Sequence, residues 1–172
     1  MSELINKRTF GGRPFPNPVA KRHQVGVFLA VLAVIGVVVA WVRIRALLPD
    51  SIPMHWNAAG EIDRYGNPDE MWIMVIIFAV LALAVLILVR FPQATNTLFS
   101  PKTDAGWQEY YGSVRDFSIG LSLVITALNL VMILTANPEW NLPIFWVCMP
   151  LALAVALIAV HLRRTHQLSK KK

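Results

Sequence analysis

The chain is poor in cysteine and in charge, and each shortage excludes something. Its single cysteine, Cys148, rules out an intramolecular disulfide, and its place within an apolar stretch reads as packing. Asp, Glu, Lys and Arg together make up 15% of the 172 residues, against 56% hydrophobic ones. None of those charges falls inside four long apolar runs, at 25–42, 71–89, 117–136 and 143–162. A chain with a mean hydropathy of +0.54 and four such runs is too apolar for an ordinary soluble domain. At roughly 1.5 Å per helical residue, each run covers about 27–30 Å, the thickness of a bilayer's hydrocarbon core. Ion-coupled transport and intramembrane proteolysis rely on ionisable groups at that depth, and their absence argues against both.

What remains is an all-α membrane protein of four transmembrane helices. The first run is longer than the apolar part of a signal peptide. It is followed by Arg43 and Arg45 where a small-residue cleavage motif would stand, so a retained helix is expected. The expected organisation is a disordered tail over 1–23, a transmembrane domain over 24–163 and a basic tail over 164–172.

The distribution of charge orients the bundle. Thirteen of the sixteen Lys and Arg residues lie before the first run, between the second and third, or after the fourth. Only Arg43, Arg45 and Arg64 lie in the first connector, beside five acids, and the third connector has none. The positive-inside rule then places both termini and the second connector in the cytoplasm, and the first connector outside. The basic tails read as topology signals and lipid contacts, and no nucleic-acid partner is implied.

Small groups within the runs suit helix packing, either in one chain or in a homo-oligomer: Gly36, Ala40, Ser118, Gly120 and Ser122. Asn129 reads as an interhelical hydrogen-bonding group, and Pro150 is expected to kink the fourth helix or to leave a carbonyl free for a neighbouring helix to satisfy. Within the second connector, 90–116, Trp107, Tyr110, Tyr111 and Val114 recur at helical spacing. They predict an interfacial helix or an early start to the third span, with an aromatic belt or a docking surface as the role of the rings.

The first connector, 43–70, is too long for a simple link and predicts a structured extracytoplasmic cap. Pro49 and Pro53 restrict the chain as it leaves the first span. Asn57, Gly60, Gly66, Asn67 and Pro68 are turn residues, while Asp69 and Glu70 complement the dipole of the second helix. Turn chemistry leaves His55, Trp56, Asn57 and Asp63 unexplained. His55 and Asp63 could supply a nitrogen and an oxygen ligand, but a third strong ligand is missing, and neither a metal nor a cofactor is predicted. No catalytic residue is assigned, and a non-enzymatic role is favoured.

The stretch "LPDSIPMHWNAAGEIDRYGNPDEMW" resembles the extracytoplasmic signature of a family of small bacterial membrane proteins of unknown function. The pattern runs L-P, then I-P-x-H-(F/W)-N-x-x-G-x-x-D. Pro49, Ile52, Pro53, His55, Trp56, Asn57, Gly60 and Asp63 carry it. Family copies often have a lysine before the next span, where this chain reads Pro68-Asp69-Glu70. The same domain occurs in a longer immunity protein against a sporulation-delaying toxin. The resemblance implies a bacterial plasma-membrane protein that uses this loop for recognition, immunity or signalling, with a peptide or membrane-protein partner. Two other readings stay open: a metal-dependent enzyme or transporter-like protein centred on His55 and Asp63, and an accessory subunit of a membrane complex.

Overall fold

The protein is represented by a computed structural model that describes residues 9–140 and 142–171. Among these, four helices are long and apolar enough to cross a membrane. They are α1 (Lys21–Arg45), α2 (Met71–Arg90), α3 (Asp104–Thr135) and α4 (Cys148–Lys170). Two short antiparallel hairpins accompany them: β1 (Thr9–Phe10) with β2 (Arg13–Pro14), and β3 (Ile52–Trp56) with β4 (Ile62–Gly66). The architecture is therefore mostly helical, and the all-α expectation misses the strands.

Local sequence accounts for most helix ends. The side chain of Asn67 accepts from the Asp69 N–H, and Glu70 reaches back to the Asn67 N–H, giving a capping box with Pro68 in the first turn ahead of α2. The hydroxyl of Thr103 accepts from the Gly106 N–H at 3.1 Å and starts α3. Arg43 and Arg45 occupy the last turn of α1, where cations complement the helix dipole. Pro150 is buried in the first turn of α4. A proline is tolerated in a first turn, where its missing N–H would have no intrahelical partner.

The third helix is the centre of the bundle and packs against the other three. Its buried face carries Ser118, Ser122, Thr126 and Asn129. Ser118 and Thr126 donate to carbonyls four residues back, so their hydroxyls are satisfied within the helix. Asn129 donates to the Val75 carbonyl of α2 at 3.2 Å, the interhelical bond expected of it. Gly120 lies where an added Cβ would stand 3.0 Å from Leu157 of α4, which explains the small residue. Gly36 has open space around it and, with Ala33 and Ala40, lines a groove between α1 and α3. Cys148 is exposed at the start of α4 and does not pack inside.

One end of the bundle gathers the start of α1, the end of α4 and the α2–α3 connector. Asp116 of α3 pairs there with His23 (3.0 Å) and Arg22 (3.7 Å) of α1 and with Arg164 (3.1 Å) of α4. The third helix begins as early as Asp104, so the aromatic segment is continuous with the span. Tyr110 and Tyr111 are almost wholly buried and cluster with Val114 and Leu168, with Trp107 packed alongside. Tyr110 and Tyr111 face the protein interior, and Trp107 is half-buried beside them. The fourth helix continues to Lys170, so the segment expected as a basic tail is helical over 164–170.

The N-terminal segment also departs from expectation. Residues 9–20 are held against α3 as a strap, while 1–8 lie outside the described residues. The Tyr111 hydroxyl donates to the Pro14 carbonyl at 2.8 Å, and Arg115 donates to the Asn17 carbonyl at 2.7 Å. Gln108 both donates to the Phe15 carbonyl and accepts from the Asn17 N–H, each at 2.8 Å. The Arg13 guanidinium lies over the Trp107 ring, 5.0 Å from its centre. Tyr111→Phe is expected to loosen the strap by about 1 kcal/mol, the net worth of one hydrogen bond. Hydrogen exchange over residues 13–17 would register the change, and unaltered protection there would refute it.

Candidate functional site

At the opposite end from Asp116, the first connector folds as the β3–β4 hairpin. It is fastened by Ile52, which is fully buried among Val37, Trp41, Met71, Val75, Ile133 and Ala136. Trp41 meets Trp72 edge to face, with ring centres 6.1 Å apart. The Arg64–Glu70 ion pair ties β4 to the start of α2, and Arg45–Asp69 joins the end of α1 to the same entry.

The turn is built by Asn57. Its side-chain oxygen accepts from the N–H groups of Ala59 and Glu61 at 2.9 and 3.0 Å, and its amide donates to the Glu61 carboxylate at 3.0 Å. Gly60 follows at φ 81, a left-handed conformation that side chains resist. Asn57 thus braces the tip through its side chain. Asn57→Ala should cost about 1 kcal/mol of hairpin stability, the scale of lost local capping bonds. Faster amide exchange at Ala59 and Glu61 would show it.

Strand pairing is irregular in a way that shapes the site. Pro53 pairs with Tyr65, His55 with Arg64, and Trp56 with Ile62. One residue is therefore extra on each strand, Met54 on β3 and Asp63 on β4, and such bulges re-aim side chains. His55 Nδ1 and Asp63 Oδ1 come within 2.6 Å. Met54 and His55, consecutive in sequence, both line one cleft of about 630 Å³ beneath the hairpin. Its other walls come from α2 (Met71, Ile73, Met74), α3 (Met132, Thr135) and Val147, and Trp56, Asn57, Arg64 and Glu70 also line it.

Of the four residues singled out in the sequence, His55 and Asp63 meet directly, while Trp56 and Asn57 reach the same cleft. Pro53 is buried at the base of the hairpin, and Pro49 is exposed before it. Sequence reasoning missed the methionines: four of the chain's six line this cleft. The three-residue spacing of Met71 and Met74, one face of a helix, was the available signal. Among the described residues no group of three or more His, Cys, Asp and Glu side chains could hold a metal ion.

Residues 28–79 match the model of a domain of unknown function, DUF1648. The matched segment begins in α1, contains the whole hairpin with His55, Trp56, Asn57 and Asp63, and ends in α2. The match, with the four long apolar helices, suggests a membrane protein that carries a domain of unknown function. The third and fourth helices lie beyond it. No curated protein and no solved structure matches the chain.

Proposed function

We propose that the chain is a non-enzymatic recognition protein of the bacterial plasma membrane. In this reading both termini are cytoplasmic, and the hairpin with its cleft faces outward to receive an apolar segment of a peptide or membrane-protein partner. The observation that carries it is the cleft. The bulged hairpin forms one wall and the membrane helices the others, so an apolar ligand arriving along the membrane surface meets methionine, isoleucine and tryptophan side chains. Unbranched methionines fit differing apolar shapes, while the polar groups of Asn57, Arg64 and Glu70 supply orientation. The charge distribution along the sequence, with thirteen of sixteen basic residues before the first apolar run, between the second and third, or after the fourth, supports the orientation. Resemblance to the immunity-type signature supports a protective or signalling role against a membrane-active peptide.

Orientation is tested with a single reporter thiol in a Cys148→Ser background. A cysteine replacing Glu61 should react with a membrane-impermeant maleimide in intact cells, and one replacing Ser169 should react only after permeabilisation. The opposite pattern would reverse the topology. For recognition, a photocrosslinking residue in place of Ile73 should capture a partner in intact cells. Combining it with His55→Ala and Asp63→Asn should reduce capture at least about tenfold at equal expression, which corresponds to about 1.4 kcal/mol. Undiminished capture would remove the hairpin from recognition.

A further inference from the structure

We propose that the cleft beneath the hairpin binds one soft monovalent metal ion, Cu(I) or Ag(I), between Nε2 of His55 and the thioether sulfurs of Met74 and Met132. The proposal uses the same cleft as the recognition reading but does not depend on it. Four methionines line the cleft, and they divide into two pairs. Met54 and Met71 pack with the core around Trp41 and Ile52, which accounts for them. Met74 and Met132 are only partly buried and stand outside that core, on different helices, yet both face the cavity that His55 enters.

The imidazole is prepared for a metal by its partner. Asp63 Oδ1 lies 2.6 Å from Nδ1 of His55, and Asp63 does not line the cleft whereas His55 does. A carboxylate held on one ring nitrogen keeps the proton there. It leaves the lone pair of the other nitrogen free and more basic, and so orients imidazoles that bind metals. The bulges at Met54 and Asp63 create this arrangement.

The donor set selects the metal. Thioethers are soft ligands that favour Cu(I), while calcium, magnesium and zinc require oxygen, thiolate or several nitrogen ligands. The acid and base that line the cleft, Glu70 and Arg64, are paired with each other, so neither competes for the ion nor repels it strongly. The bland alternative is that the methionines are merely adaptable apolar lining. Leucine preserves that lining and removes the sulfur, so the two accounts predict opposite results.

The test uses the full chain in detergent with Cys148→Ser, which removes the thiol that would otherwise bind soft ions, and Ag(I), which needs no reductant. Elemental analysis after desalting should find one silver per chain and no retained Zn(II). M74L/M132L should abolish the bound silver, because the volume-conserving change keeps the fold. Asp63→Asn should weaken binding about 10–100-fold, the usual effect of removing such a supporting carboxylate. His55→Ala should weaken it at least as much. Met149→Leu, on the exposed face of α4, should change nothing. Silver retained by M74L/M132L, silver absent from the parent, or equal loss in Met149→Leu overturns the site. The two readings fail separately: silver bound by a chain that captures no partner through position 73 leaves only the ion site standing, and capture by a chain that binds no silver leaves only the recognition reading.

Discussion

Ile52→Ala is expected to detach the hairpin from the membrane helices. Of the ten residues in β3 and β4, only Ile52 and Pro53 are buried, and all but the last residue of β4 are exposed. A two-stranded hairpin is marginal by itself, so its position depends on the few side chains it inserts. Truncating a fully buried isoleucine typically costs about 2–5 kcal/mol. Here that cost is borne by the contact between Ile52 and the cluster of Val37, Trp41, Val75 and Ile133. Even the lower value implies an increase of roughly thirtyfold in open hairpin. Amide exchange across 52–66 should accelerate by that factor, while the centres of α2 and α3 keep their protection. If the strand amides exchanged as in the parent, the ion pair Arg64–Glu70 would have to be the true fastening. That would be surprising, because exposed pairs contribute little.

Asp116→Ala should have the second-largest effect, at the other end of the bundle. The carboxylate joins three elements, receiving His23 and Arg22 from α1 and Arg164 from α4. The His23 side chain is only 5% exposed, and its Nδ1 already lacks a partner. Removing Asp116 leaves both nitrogens of a buried ring without a hydrogen bond, at a cost of about 1–3 kcal/mol. The arginines are better exposed and add little. Thermal unfolding in detergent should therefore shift downward, and His23→Phe combined with Asp116→Ala should recover part of the loss. A cycle in which the two substitutions simply add would disprove the coupling.

The four long apolar helices were legible because uncharged runs of about twenty residues admit few other folds. Asn129 was legible for a similar reason, since an amide at that depth needs a partner. The hairpin was not. A half-buried strand announces itself by alternation, but Pro53 and the extra residues at Met54 and Asp63 break the period on both strands. The His55–Asp63 pair was suggested by residue type, and its contact follows only from those bulges. The polar junction at Asp116 joins residues 93 and 48 positions away, a relation that no local pattern carries. Trp107, Tyr110 and Tyr111 showed the right helical face, but periodicity alone does not say whether a face turns toward lipid or protein.

The strap held against α3 has a consequence for how the protein is made. Its carbonyls at Pro14, Phe15 and Asn17 accept from Tyr111, Gln108 and Arg115, some ninety residues later in the chain. During synthesis the strap leaves the ribosome well before α3, and it has nothing to grip until the first turns of α3, residues 108–115, have followed. The hairpin can close as soon as β4 emerges, since its turn bonds are all local. The two polar assemblies at the ends of the bundle therefore mature in the reverse of their order in the sequence. Fastening the strap marks the moment at which the first and third helices have found each other.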